Sequence, residues 1–204
     1  MSTLAPAPAP PDVRAPTPKK TDDSRGRYAM RCVIATESSL FVVLFFSYFY
    51  LSTPSRWEVQ RPPELTYAFI MLAVLLLSSA VLHIGELAAR SHKYRAARVY
   101  LGGTVLLGLI FLALQYVETK QHLKILTPHS DAYGSVFYTI TFFHAAHLTM
   151  GLLMLAYVLA LPKPANTDQS PFQPYHVASM YWHFVDFIWI WIVAVLYVAP
   201  HFQH

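Results

Sequence analysis

Five apolar runs, each about twenty residues or longer and nearly free of charge, leave this chain few ways to fold. They extend from Tyr28 to Leu51, Leu65 to Ala88, Val99 to Glu118, Gly134 to Leu161 and Val177 to Ala199. A helix needs about 20 residues to cross the hydrocarbon of a bilayer. In that medium every backbone N–H and C=O must be satisfied within the chain, which leaves only helices and closed barrels. A barrel would show short segments of alternating polarity, whereas these runs are uninterrupted. The chain therefore reads as an all-α polytopic membrane protein, a bundle of five transmembrane helices.

Composition agrees. Of 204 residues, 55% are hydrophobic and 13% charged, and the mean hydropathy of +0.37 is high for a soluble protein. A pI near 9.2 raises the question of nucleic acid, but Lys and Arg are scattered through the connectors with no basic face carrying stacking aromatics, so nucleic acid is not an expected partner. The single Cys32 excludes an intrachain disulfide or a multi-Cys zinc site and reads as a small apolar filler. Residues 1–27 are rich in Ala, Pro, Lys and Asp without apolar periodicity and read as a disordered tail, leaving 28–204 as one membrane domain. No small-residue cleavage site follows the first apolar run, so that run reads as a retained signal anchor. Pro54, Pro62 and Pro63, and the four prolines between Pro162 and Pro174, separate helices.

Lys and Arg set the expected orientation. Arg14, Lys19, Lys20, Arg25, Arg27, Arg31, Arg90, Lys93, Arg95, Arg98 and Lys163 fall on one side, and Arg56, Arg61, Lys120 and Lys124 on the other. By the positive-inside rule the N-terminus is cytoplasmic and the C-terminus lies outside.

Polar residues inside the runs are the candidates for function: Glu37 in the first, His83 and Glu86 in the second, Gln115 and Glu118 in the third, His144 and His147 in the fourth, His183 and Asp186 in the fifth. His144 and His147 are three residues apart, as are His183 and Asp186, so each pair shares a helix face. Against acyl chains each such group would cost a few kcal/mol, which places both faces inside the bundle. Two chemistries stay open. The imidazoles could hold a metal or haem between facing helices, or the set could make interhelical hydrogen bonds worth about 0.6–2 kcal/mol each. Carboxylate-bridged di-iron bundles use Glu-x-x-His, whereas HIGE and HFVD here have the reverse order. The second reading also accords with the rule that buried polar groups are hydrogen-bonded. Glu37, among Thr36, Ser38 and Ser39, reads either as a protonatable relay or as a neutral acid bonded to a neighbouring helix or to lipid headgroups. Aromatics such as Tyr48, Tyr50, Trp189 and Trp191 read as belts and packing, and Gly102, Gly103, Gly108 and Gly151 as sites of close helix approach.

Four stretches carry a family resemblance: ATESSLF (Ala35–Phe41), LQYVE (Leu114–Glu118), FYTITFFHAAHLTMG (Phe137–Gly151) and YWHFVDFIW (Tyr181–Trp189). In order and combination they resemble subunit III of haem-copper terminal oxidases, the cytochrome c oxidase subunit III family. The likeness covers all five expected helices and omits the tail. It is to the shorter bacterial form, which lacks the first two helices of the seven-helix version. One departure stands out: where the family commonly has a small residue and Gly around the first His of the fourth helix, this chain has Phe143 and Ala145.

The resemblance implies a non-catalytic core subunit of a proton-translocating cytochrome c oxidase in a bacterial inner (plasma) membrane. It implies no catalytic centre, haem, copper or other metal in this chain, with haem and copper in partner subunits. Subunit I would be the direct partner, alongside subunit II and other oxidase subunits, and phospholipid would be bound in a cleft between helices. Glu37 matches the family's buried, carbodiimide-reactive carboxylate, a support for proton uptake. Glu118, His144, His147, His183 and Asp186 fall on recurrent positions of a structural polar network. Alternatives within the superfamily are subunit III of a quinol oxidase and the small subunit of a nitric oxide reductase. From a different class, the alternative is an independent haem-binding reductase using His83, His144, His147 and His183.

Overall fold

The computed structural model describes residues 21–52, 65–123, 132–162 and 172–202. Five helices account for nearly all of them: α1 (Thr21–Leu51), α2 (Leu65–Arg90), α3 (Tyr94–His122), α4 (Ala132–Ala160) and α5 (Phe172–Ile192), the last continuing through a π-helical segment, Val193–Val198, and a 3-10 turn, Ala199–Phe202. All five are long and apolar enough to cross a membrane, and no strand occurs among the described residues. The tail before Thr21 and the prolines Pro54, Pro62 and Pro63 lie outside the described residues.

The helices outrun the apolar stretches that announce them. α1 begins at Thr21 rather than Tyr28, so residues 21–27, read as disordered tail, are helical. Lack of apolar periodicity argues against burial but not against helix. Extending a helix already nucleated in the membrane costs little, and no proline interrupts 21–27. Likewise α3 starts at Tyr94, before Val99. α5 starts at Phe172, which puts Pro174 in its first turn, where a missing N–H breaks no intrahelical bond. At the other end, Pro200 has no N–H for the carbonyl four residues back, and there the helix widens into the π segment.

Only Ser91, His92 and Lys93 separate α2 from α3. The His92 N–H donates to the Ala89 carbonyl (3.2 Å) and the Lys93 N–H to the Ala88 carbonyl (2.9 Å). His92 takes φ 57°. This is a Schellman stop with a non-glycine residue in the left-handed position.

α5 occupies the centre. Of its membrane-crossing window 67% is buried, against 11% for α1. α1 packs on α4 and α5, α4 on α3, and α3 on α2, which returns to α5. These four helices surround α5, and among the described residues α1 and α2 pack against each other little or not at all. The fully enclosed indoles of Trp182 and Trp189 dominate the core. Two glycines make room for Trp182: a Cβ at Gly108 would lie 2.7 Å from the indole, and one at Gly151 3.1 Å from it. Gly85 admits Tyr175, whose hydroxyl oxygen lies 2.0 Å from where a Cβ would stand. Gly102, read as a contact glycine, faces open space, and Cys32 is exposed rather than a core filler. Arg98 ties α3 to the end of α4, its guanidinium donating to the carbonyls of Leu159 (2.6 Å) and Leu161 (3.0 Å), two acceptors that a helix C-terminus leaves free.

Candidate functional site

The polar residues of the membrane helices form three junctions between helices. At the first, α1 meets α4. His147 Nδ1 lies 2.6 Å from the Phe143 carbonyl and its Nε2 lies 2.8 Å from Glu37 Oε2. A carbonyl only accepts, so Nδ1 carries hydrogen. The contact at Nε2 then contains one proton, either as carboxylic acid and neutral imidazole or as carboxylate and imidazolium. The pair is net neutral in both arrangements. Glu37 is not enclosed as the resemblance implied. Its side chain is 36% exposed against 11% for His147, because α1 offers the bundle only a narrow stripe that includes Met30, Phe41 and Tyr48.

The second junction joins α2 to α5 along matched stripes. The Ser79 hydroxyl donates to Asp186 Oδ2. Having one proton to give, it accepts at 2.7 Å from His183 Nδ1–H. Beside it, Trp182 Nε1–H donates to Ser78 Oγ at 3.0 Å. One to two turns further along α2, Glu86 is buried. Its Oε1 accepts from Arg90 Nη2 and His176 Nδ1, both at 2.8 Å, and its Oε2 accepts from Ser179 Oγ at 3.0 Å. Tyr175 Oη–H donates to the Leu82 carbonyl at 3.2 Å. Ser79, His83, Glu86 and Arg90 thus form one stripe of α2, and His176, Ser179, His183 and Asp186 the facing stripe of α5.

The third junction lies among α3, α4 and α5. His144 is fully enclosed, stacked on Trp189 with ring centroids 4.8 Å apart and edge-on to Phe111 at 5.9 Å. Gln115 Nε2–H donates to the Thr141 carbonyl at 3.1 Å. Glu118 is buried one turn on, 4.0 Å from His122 Nε2. A groove of about 760 Å³ opens on the outer side of α3 and α4, lined among others by Leu112, Gln115, Tyr116, Tyr138, Phe142 and Ala145. The bulk that Ala145 adds beside His144 is thus accommodated in a groove wall.

The four His residues of the haem reading do not converge. His144 is held by aromatic rings, His147 by Glu37, His183 by Ser79, and His83 is exposed on α2. Among the described residues no three His, Cys, Asp or Glu side chains form a group able to hold a metal ion.

Comparison with known proteins decides the relationship. The family model described as Cytochrome c oxidase subunit III matches residues 23–200. The chain belongs to the cytochrome c oxidase subunit III family. Among its relatives, cytochrome c oxidase subunit 3 of Synechocystis is 34% identical over 170 residues, covering 81% of this chain and 72% of the relative. The Bacillus subtilis subunit 3 is 31% identical over 169 residues, covering 79% and 80%. That of Corynebacterium diphtheriae is 33% identical over 174 residues, covering 80% and 83%. The subunit III match begins inside α1 and ends at Pro200, so it takes in all three junctions.

Sequence reasoning found Glu37, Glu86, Glu118, His144, His147, His183 and Asp186 and missed what surrounds them at the second junction: Ser78 and Ser79, Tyr175, His176, Ser179 and Trp182. A signal was present. The pair Ser78-Ser79 interrupts the leucine run LAVLLLSSAVL, and spacings of four, seven and eleven from Ser79 reach His83, Glu86 and Arg90. A helix that spends hydroxyls on one stripe is marking the neighbour that receives them.

Proposed function

We propose that this chain is the accessory, non-catalytic subunit III of a proton-translocating cytochrome c oxidase in a bacterial plasma membrane, N-terminus in the cytoplasm and C-terminus outside. Haem and copper reside in partner chains, subunit I being the direct neighbour. The observation that carries this reading is the match over residues 23–200, which spans every helix of the bundle. The geometry supports it, since the polar residues tie helix to helix instead of converging on one centre. Glu118, His144, His183 and Asp186 are structural members of that network. Glu37 and His147 have a further role: a net-neutral pair with one shared proton, partly open to the bilayer side of α1, can lend or store a proton near the uptake path of the complex at little electrostatic cost. The groove on α3 and α4 takes an acyl chain of bound phospholipid.

The test is purification through a tag on this chain. From native membranes the preparation is expected to contain haem and copper, and the chain expressed alone in a host without oxidase subunits is expected to show no Soret band. A Soret band from the isolated chain would overturn the accessory assignment.

A further inference from the structure

Among the described residues the ring around α5 is open between α1 and α2, and two imidazoles lie at that opening. His83 follows Ser79 by four residues and precedes Glu86 by three, so it lies at the edge of the stripe that α2 turns to α5. It is exposed and makes no hydrogen bond to any described residue. His183 lies across from it, within electrostatic range of His83 and Glu86. Its Nδ1–H is committed to Ser79, which leaves Nε2 of the neutral ring as a free acceptor with no partner among the described residues.

Depth makes this arrangement informative. His183 sits close to the middle of the 26-residue span Gln173–Val198. His83 lies within the span Leu65–Arg90, seven residues from its end, or about 10 Å at 1.5 Å per residue. Both belong to the hydrocarbon slab of about 30 Å. An acyl chain has neither donor nor acceptor to offer, and a polar group left facing it is costly. Elsewhere on the lipid-facing surface the exposed hydroxyls of Thr36, Ser39, Ser47 and Thr149 return to carbonyls of their own helices. His83 and the Nε2 of His183 do not do this: among the described residues no carbonyl accepts from or bonds to them.

We infer that the opening between α1 and α2, walled by His83 and floored by His183, is the face that receives a transmembrane helix of a partner oxidase subunit. That helix presents a hydrogen-bond donor, a hydroxyl, amide or indole N–H, to His183 Nε2, with a second polar group at the height of His83. The occupant is protein and not lipid because the unmet requirement is a hydrogen bond at hydrocarbon depth. Phe187 and Leu87, exposed on α5 and α2, supply the apolar rim. This inference rests on the accessory-subunit reading, which supplies the partner chains.

Site-specific photocrosslinking in the intact complex tests it. A photoreactive phenylalanine is placed at Phe187 or Leu87 in the opening, and at Leu109 or Met150 on the outer faces of α3 and α4 as controls. All four positions are exposed, so each variant is expected to fold. Crosslinks to another oxidase subunit are expected from the first two positions and crosslinks to lipid from the controls. Protein crosslinks from the controls with lipid alone from Phe187 and Leu87 would overturn the inference. In parallel, His83→Leu, which suits lipid better, is expected to lower the haem recovered per tagged chain about fivefold, the factor carried by one interhelical hydrogen bond, while His83→Gln restores most of it. Unchanged recovery with His83→Leu would also count against it. If haem recovers with the tagged chain but the opening crosslinks only lipid, this inference fails alone. If no haem accompanies even the unaltered chain, the accessory reading fails first.

Discussion

α5 and α1 are both helices long and apolar enough to cross a membrane, yet two-thirds of the α5 window is buried in the protein and only 11% of the α1 window. Their polar residues differ accordingly. α5 carries Tyr175, His176, Ser179, Trp182, His183 and Asp186, all bonded to α2. α1 meets the bundle through the polar contact of Glu37 with His147 and through buried Met30, Phe41 and Tyr48, while Thr36, Ser38, Ser39 and Ser47 bond within their own helix. In a bilayer apolarity does not separate inside from outside, because lipid tails are as apolar as a protein core. Polar side chains directed outward from their helix mark where protein lies.

Perturbations graded from centre to edge test that contrast. The largest effect is expected for Trp182→Ala, which empties the space bounded by Gly108 and Gly151 and strips Ser78 of its donor. A loss of about 3–5 kcal/mol is expected for a large aromatic in a closed core, read by denaturant titration in mixed micelles. A loss below 1 kcal/mol would mean that α5 is not the packing centre. Asp186→Ala comes next, since the half-buried Ser79 hydroxyl would lose its acceptor. About 1–3 kcal/mol is expected, with haem content per assembled complex unchanged, measured by the same titration and by the haem spectrum.

At the edge, Glu37→Leu removes the polar tie of α1 to His147 and is expected to cost about 0.6–2 kcal/mol. Glu37→Gln is informative beside it. Its amide N–H can donate to His147 Nε2 when Nδ1 carries the only ring proton, so this variant is expected to retain most of the stability and the initial oxygen consumption, any defect appearing as weaker proton pumping or faster inactivation during turnover. Oxygen uptake from the first turnovers, with pumping recorded in vesicles, reads the outcome. Immediate loss of oxygen reduction in a fully assembled complex would place Glu37 in a catalytic role instead. The smallest effect is expected for Ser47→Ala, whose hydroxyl reaches only the Val43 carbonyl one turn back. The change should lie within about 0.5 kcal/mol, and a larger one would show that the exposed face of α1 meets protein.

The number and order of helices were legible because a span needs length and apolarity, and both are countable. Helix ends were not, since Tyr94, Phe172 and the residues after Thr21 extend their helices through polar sequence that apolar counting stops at. Glu118, His144, His147, His183 and Asp186 were legible as polar groups at depth. Which helix each would meet was not, because the answer lay in serines and indoles: Ser79 for His183, Ser78 for Trp182, Ser179 for Glu86. The exposure of Glu37 also escaped the sequence. Its apolar flank LFVVLFF describes a lipid-facing helix as well as an enclosed one.

The central position of α5 has a consequence in time. α5 leaves the ribosome after the other four helices, so these wait in the membrane with Ser78, Ser79, Glu86 and the clefts at Gly85, Gly108 and Gly151 unfilled. The hairpin of α2 and α3, closed by a three-residue turn, can form at once from neighbouring sequence, but the rest of the ring has nothing to close around until α5 is made. A nascent chain halted after Ala160 should accordingly be a substrate for membrane quality control, with release of α5 as the event that ends its vulnerability.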